Sequence, residues 1–302
     1  MTSVIQARLA PMLHDERREE AHDWFPTSPC SCGCLAGDHA TANFAVVTTR
    51  CVRLTSVLVA APAFFAVRSV LPASEKRRWQ RLFSKTLLSA FGVSVSITDR
   101  RGGIDAGSRS GLVVANHISW LDPLVISTIT SAAFVARADL AQWPAIGTLA
   151  RWASIIPLRR ESLRDLPGAV QNVSDRLRRG DRVAIFPEGT TWCGRSWGRL
   201  RPAFFQSALD ADVPIHPIHV RYVDGTGRMT TTPSFVGEDG IAQSIWRVLT
   251  QRHVTVEVTL LAPELAVGDR RILAQRCERT LRSAEMQSWT ASFAHDAERA
   301  VA

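Results

Sequence analysis

From residue 92 onward the chain repeats one alternation: a short apolar run, then a stretch with helical spacing, with Gly or Pro between them. The apolar runs fall at 112–115, 133–136, 155–157, 182–186, 215–222 and 254–261. Runs so short read as strands, and strands apolar on both faces are the habit of parallel sheets covered on each side. The segments between them supply the cover. In 166–179, Leu166, Val170, Val173 and Leu177 share one helical face and Gly180 stops the pattern. Residues 241–252 and an arginine-rich stretch at 269–293 also read as helices. The alternation predicts an α/β fold with a mostly parallel central sheet flanked by helices. No internal repeat is visible, and 224–240, rich in Pro, Gly and Thr, predicts a surface loop.

The first part of the chain has another character. Residues 1–40 are polar and carry Pro, Gly and Cys, with a solvated charge cluster at 15–20, and predict a loosely ordered segment. From residue 44 to 71 the chain is apolar, interrupted by Arg50, Arg53 and Arg68. Its uncharged stretch, 54–67, is 14 residues long. A bilayer-crossing helix needs roughly 20, so a kinked helix at Pro62 that dips into one leaflet fits better than a full span. Flanking arginines can snorkel to the interface. A buried core helix is the competing reading. Residues 75–91 interleave Lys76, Arg77, Arg78, Arg81 and Lys85 with Trp79, Leu82, Phe83, Leu87 and Leu88. That pattern suits an anionic membrane surface, or simply a surface helix of the domain. The expected organisation is therefore 1–40 loosely ordered, 41–91 helical and membrane-associating, and 92–302 one α/β domain.

Composition narrows the partners without choosing one. The chain has 302 residues, 46% hydrophobic and 21% charged, which excludes wholesale disorder. Its net charge of +8 is carried almost wholly by arginine, Lys76 and Lys85 being the only lysines. Arginine binds phosphate bidentately, so lipid headgroups and phosphorylated substrates are admissible. Nucleic acid is not expected, because no recognition motif or aromatic-interleaved basic strip accompanies the charge. Six cysteines do not form a disulfide framework in a chain of this length, and a reducing, cytoplasmic side is expected. Cys30, Cys32 and Cys34, with Asp38 and His39 behind them, lack zinc-knuckle spacing and a following cysteine pair, so they read as a loop of thiols rather than a metal site. Cys51, Cys193 and Cys277 read as ordinary single cysteines.

Chemistry concentrates in two strings, Asn116-His117-Ile118-Ser119-Trp120-Leu121-Asp122 and Phe186-Pro187-Glu188-Gly189-Thr190-Thr191. Each follows an apolar strand, so each emerges at a strand's carboxyl end, where α/β folds place their sites. His117 offers a base, and Asp122, five residues on, can reach one imidazole nitrogen and fix the tautomer. The plainer reading gives Ser119 as helix N-cap and Asp122 as its capping-box acid, with Pro123 tolerated in the first turn. Glu188 sits in a tight Pro/Gly turn; as a plain structural residue it is an acid near a helix N-terminus. Arg195, Arg199 and Arg201 follow and suit a docked anion. A base, its orienting acid and an anion-accepting loop are the parts needed to move an acyl group onto a hydroxyl.

The order and spacing of these strings resemble the glycerolipid acyltransferase family, whose best-known members are lysophosphatidate acyltransferases. The likeness spans roughly residues 112–220. Phe134-Val135-Ala136-Arg137-Ala138-Asp139-Leu140 resembles the family's basic block, Trp143-Pro144-Ala145-Ile146-Gly147 its Pro-x-Ile-Gly turn, and Val213-Pro214-Ile215-His216-Pro217-Ile218 its closing strand. The resemblance implies transfer of a fatty acyl chain from coenzyme A or acyl-carrier protein to a lysophospholipid hydroxyl, first among acceptors 1-acylglycerol-3-phosphate. It implies His117 and Asp122 as catalytic residues, and Glu188, Gly189, Thr190, Arg137, Arg160 and Arg195 as acceptor-binding residues. It implies no cofactor, no metal and no acyl-enzyme. Location at the cytoplasmic face of the plasma membrane, monotopic or peripheral, goes with it.

Two departures bear on the acceptor. In the family's Gly-x-x-Phe-x-x-Arg block this chain reads Ser154-Ile155-Ile156-Pro157-Leu158-Arg159-Arg160, keeping only the terminal arginine. Thr191 stands where an arginine is common after Glu-Gly-Thr. That form looks like the branch that acylates lyso-ornithine lipids, the alternative acceptor class. A hydrolase using the same histidine and acid is a rival class, and it would need an activated serine in a Gly-x-Ser-x-Gly elbow placed directly at a strand's end. A catalytically silent lipid-binding protein is the remaining rival.

Overall fold

The structure, a computed structural model, describes residues 25–35, 40–102, 110–139 and 155–301, with side chains as far as residue 289. The Trp143–Gly147 turn, the charge cluster at 15–20, and Asp38 and His39 lie outside the described residues. In chain order the elements are helices α1 (Phe44–Val70) and α2 (Ala73–Phe91), strands β1 (Val93–Asp99) and β2 (Gly111–Ala115), and helix α3 (Asp122–Ile129). Strands β3 (Ala133–Arg137) and β4 (Ile156–Leu158), helix α4 (Leu166–Arg178), strand β5 (Arg182–Ile185) and helix α5 (Phe205–Ala211) follow. Strand β6 (Ile215–Val223), helix α6 (Ile241–Thr250), strand β7 (Val254–Leu260) and helix α7 (Arg270–Val301) complete the order.

The strands form one sheet in the order β1-β7-β6-β2-β5-β3-β4. Every neighbouring pair is parallel except β6 with β7. This is the expected mostly parallel α/β layer. β2 lies in mid-sheet and is buried throughout, so its alternate side chains enter two different cores. Val113 and Ala115 pack with Leu88 and Phe91 of α2, Val125 of α3 and Val248 of α6. Leu112 and Val114 pack with Val173 and Leu177 of α4, Phe205 of α5 and Leu273 of α7. Each of the larger side chains, removed from water, contributes roughly 1.5–3 kcal/mol.

Four features differ from the sequence reading. β1 was not expected: its Val-Ser-Val-Ser alternation belongs to an edge strand exposed along most of its length, not to an apolar run. α5 is too short to show a period. The 224–240 stretch is a surface loop only in part: Gly225 to Arg228 are exposed, but Thr231, Thr232, Ser234 and Val236 are buried. Arg247 of α6 holds it, donating to the carbonyls of Thr232 and Ser234 and pairing with Asp239 at 2.6 Å. Finally, residues 25–35, inside the segment expected to be loosely ordered, run along the domain with Cys30 and Leu35 buried against Cys193 and Val236.

The apolar N-terminal segment is one continuous 27-residue helix, longer than its uncharged stretch suggests. Asn43 Oδ1 caps it by accepting from Val46 N at 2.9 Å, and Pro62 sits inside without ending it. At about 1.5 Å per residue it is ~40 Å long, against a hydrocarbon thickness of about 30 Å. By length and composition it can cross a membrane, and little of its apolar window is buried. Val52, Leu58, Val59, Val67 and Val70 all lie exposed. Arg50 does not snorkel. It turns into the domain and donates to the carbonyls of Leu249, Gln251 and Arg252, capping the C-terminus of α6. Farther along, Phe64 stacks against Trp79 and Phe83, fixing α1 to α2.

Gly92 makes the Arg50 anchor possible. It ends α2 at φ +75°, and a Cβ there would lie 2.2 Å from Arg50 Nε. Gly92→Ala combines left-handed strain with displacement of that guanidinium. We expect a loss of about 1–3 kcal/mol, read as a lower melting temperature of the detergent-solubilised protein; an unchanged melt would mean that Arg50 carries no anchoring load.

Candidate active site

Register brings the two strings together. β2 and β5 are adjacent and parallel, with Val114 opposite Ile185. His117 and Glu188 each lie three residues beyond that pair, so both leave the same carboxyl edge of the sheet. Asn116 completes the exit on the other side. Its amide donates to Val220 O at 2.9 Å and accepts from Val220 N at 2.8 Å, continuing the β2–β6 pairing by a side chain.

Asp122 is fully buried and its carboxylate is saturated. Oδ2 accepts from Ile118 N at 2.7 Å, Ser119 N at 2.8 Å and His117 Nδ1 at 2.8 Å, while Oδ1 accepts from the Tyr222 hydroxyl at 2.6 Å. The capping reading and the orienting reading therefore hold together in one side chain. Ser119 is not the N-cap: Leu121 is, and the Ser119 hydroxyl instead accepts from Leu121 N. A carboxylate only accepts, so Nδ1 of His117 carries the proton and Nε2 presents its lone pair. Among the described residues Nε2 has no hydrogen-bond partner. Phe186 stacks on the imidazole at 4.1 Å, closing one face of the ring. Tyr222, in turn, is kept firmly protonated by burial and by the Asp122 charge.

Glu188 is also buried, and it faces inward. Oε2 accepts from His117 N at 2.9 Å, Oε1 from Gly198 N at 3.2 Å, and Arg282 of α7 lies 3.6 Å away. Burial pushes its carboxyl up to about 7, opposed by the two N–H groups and Arg282. Glu285, 3.4 Å from the same guanidinium, is likewise raised to about 7 by burial. Two buried acids share one arginine. Sequence reading missed Arg282 and Glu285, because both come from a helix remote in the chain with no motif around them, and it noted Tyr222 only as the residue to which the Pro-Ile strand leads.

The remaining expected residues fall in two places. Gly189 turns at φ +79° directly under Pro26, where a Cβ would meet the proline's at 2.8 Å. Thr190 follows half-buried, and the Thr191 hydroxyl bonds to Phe235 O. Arg137, at the end of β3, pairs with Asp139 at 2.8 Å. Arg160 lies near enough to feel it: burial, then the Arg137 charge, bring Arg160 down to about 10. Asp139 and Glu161 oppose that lowering. Arg195 is exposed on the loop after Cys193. Cys193 is not an isolated thiol, since its sulfur, with those of Cys30 and Cys34, forms a group within 4.8 Å.

An α/β enzyme with an imidazole–carboxylate pair at the sheet's carboxyl edge is the class that fold and site define. A family model described as Acyltransferase matches residues 99–221. The 1-acyl-sn-glycerol-3-phosphate acyltransferase of Neisseria gonorrhoeae is 32% identical over 57% of this chain and 68% of its own. The lyso-ornithine lipid O-acyltransferase of Pseudomonas aeruginosa is 28% identical over 78% of this chain and 91% of its own. The crystal structure of the 1-acyl-sn-glycerophosphate acyltransferase of Thermotoga maritima superposes with a TM-score of 0.60 at 18% identity, covering 81% of this chain and 95% of that one, a likeness of fold. The chain belongs to the glycerolipid acyltransferase family.

The raised Glu188 carboxyl gives a stability signature. The folded protein holds that proton up to about 7, whereas its ordinary value is 4.5. The stabilisation is therefore full below 4.5 and is lost as pH rises through 7. Glu188→Gln removes this contribution, so its melting temperature should fall less than the wild type's between pH 5 and pH 8, with Glu285 leaving a residual slope. Parallel pH–melting curves for the two proteins would contradict the buried, protonatable state.

Proposed function

We propose that this protein transfers a fatty acyl chain from a thioester of coenzyme A or acyl-carrier protein to the hydroxyl of a lysolipid, first among them 1-acylglycerol-3-phosphate. One observation carries the reading: Asp122 fixes the proton on His117 Nδ1 at 2.8 Å and leaves Nε2 as a base at the carboxyl edge of the sheet. Nε2 takes the acceptor hydroxyl proton as its oxygen attacks the thioester carbonyl. The tetrahedral intermediate then collapses, the ester forms, and the departing sulfur takes the proton back from His117. Buried Asp122 stabilises the imidazolium between the two steps. Both protons pass through one imidazole, so no acyl-enzyme is required.

Glu188 acts in this scheme by positioning. It bonds the backbone N–H of His117 and that of Gly198, tying the base to the loop that follows β5. Arg137 and Arg160, with mutually repelling charges, receive the acceptor phosphate; Gly189, Thr190 and Arg195 line the approach. The exposed apolar face of α1 and the basic residues of α2 hold the enzyme at the cytoplasmic face of the plasma membrane, with the acceptor entering from the bilayer. A second acceptor class, lyso-ornithine lipid, is favoured by the P. aeruginosa relative, matched over 91% of its length, and by Thr191 in place of a phosphate-binding arginine.

The test is mass spectrometry of products formed by the purified full-length protein from a panel of lysolipids and acyl thioesters. His117→Ala should lower transfer about 10²–10⁴-fold with an unchanged melting temperature; intact transfer would end the mechanism. Arg160→Gln should raise KM for a phosphate-bearing acceptor roughly 10–100-fold with a smaller change in kcat. Product from lyso-ornithine lipid but none from 1-acylglycerol-3-phosphate would exchange the two acceptors.

A further inference from the structure

The three-thiol group beside the active site has no part in the chemistry above. Cys30 and Cys193 are buried and Cys34 half-buried, and their sulfurs all lie within 4.8 Å of one another. The short 3₁₀ turn Cys32–Leu35, held by Cys34 N donating to Ser31 O at 2.9 Å, sends Cys30 and Cys34 inward and leaves Cys32 exposed. The third sulfur arrives from a loop more than a hundred residues later. The Ser196 hydroxyl stands 3.5 Å from Cys30 Sγ and 3.6 Å from Cys193 Sγ.

We propose that Cys30, Cys34 and Cys193 bind one zinc ion, with the Ser196 hydroxyl at the fourth corner, bonding the ion or holding a water on it. Tetrahedral zinc with Zn–S near 2.3 Å sets its sulfurs about 3.8 Å apart, and an oxygen ligand about 3.5 Å from each. The three sulfurs need close in by no more than a fraction of their spacing, and the hydroxyl already stands at that distance from two of them, Cys30 and Cys193. A disulfide would join only two of the thiols and strand the third. Thiolate ligands select a soft or borderline metal over magnesium or calcium.

Such an ion would clasp the strap of residues 25–35 to the active-site loop. Pro26 of that strap lies over Gly189, and Cys30 and Ser31 lie against Gly237. On the loop side, Trp192 N, next to Cys193, donates to His117 O at 2.8 Å, and Ser234 Oγ donates to Cys193 O at 3.0 Å. The metal's place is therefore one peptide unit from a bond that positions the histidine, and its role is to brace that loop rather than to touch substrate.

The test is the zinc content of the full-length protein, purified in detergent under reducing conditions without chelator. We expect about one zinc per chain, falling to background in Cys30→Ser and Cys34→Ser and unchanged in Cys32→Ser and Cys51→Ser. Half-buried Cys34 is the safer substitution, with folding checked by its melting curve. Cobalt(II) added to metal-stripped protein should give a thiolate-to-metal charge-transfer band that Cys34→Ser lacks. Wild-type protein with neither zinc nor a cobalt band would overturn the proposal. So would peptide mapping that finds two of the three cysteines joined as a disulfide, or equal metal loss in Cys32→Ser. Metal content is read without any assay of acyl transfer, so this result stands apart from the fate of the proposed reaction.

Discussion

The Asp122 carboxylate is the interaction on which the site depends. An isolated carboxylate at full burial costs several kcal/mol, and this one is offset by four hydrogen bonds of roughly 1.5–3 kcal/mol each. Two of the bonds are backbone N–H groups at the start of α3, one comes from β6 through Tyr222, and one is the imidazole. The same oxygen, Oδ2, that anchors the turn also holds the His117 ring. Removing the charge would loosen the helix start and the base together. The imidazole is thus oriented by the very contact that folds its own loop.

Glu188 does for the loop after β5 what Asp122 does for the loop after β2. Each is a buried acid beyond a strand end; Asp122 bonds backbone N–H groups of its own loop, and Glu188 bonds that of His117 in the adjacent loop and that of Gly198 in its own. They differ in electrostatics. Asp122 is surrounded by donors on both oxygens, whereas Glu188, pushed up to about 7 by burial, shares the one guanidinium of Arg282 with Glu285. A buried acid that yields its charge as pH falls, as Glu188 does, tolerates an anionic ligand nearby better than one held ionised.

Much of this was legible in the sequence because it is local. The apolar runs at β2, β5, β6 and β7 announce buried strands, and the two strings sit at fixed offsets from strand ends, so their convergence follows once the strands are parallel neighbours. What the sequence hid is non-local or irregular. Arg50 reads as an interruption of an apolar helix, yet it caps α6 some two hundred residues away. Cys193 reads as a lone cysteine because its companions precede it by a whole domain. The 224–240 stretch has loop composition, and it is a loop; burial comes from Arg247, which satisfies its carbonyls from a helix with no sequence mark of that duty. Composition reports backbone irregularity, not exposure.

The helix pair α1–α2 joins the catalytic edge to the apolar surface through few joints. α2 packs on α3, where buried Gln80 donates to Ala132 O at 3.1 Å and lies 3.4 Å from Ser127 Oγ. α3 begins at Asp122. Trp120, two residues before it, donates to Ser244 of α6 and stacks edge-on with Phe91 at the end of α2. α6 in turn is capped by Arg50 of α1. These contacts close a ring, α1 to α2 to α3 to α6 and back, with the His117–Asp122 turn on its rim. A soluble enzyme could let its base wander by an ångström and recapture substrate from solution. In the proposed reaction the lipid acceptor keeps its chains in the bilayer, so the protein must set the height of the base above the membrane, and misplacement on that scale costs rate steeply. A closed ring of packed helices fixes that height more firmly than a single linker, which is why the apolar helix is tied into the domain at its arginine instead of trailing from it.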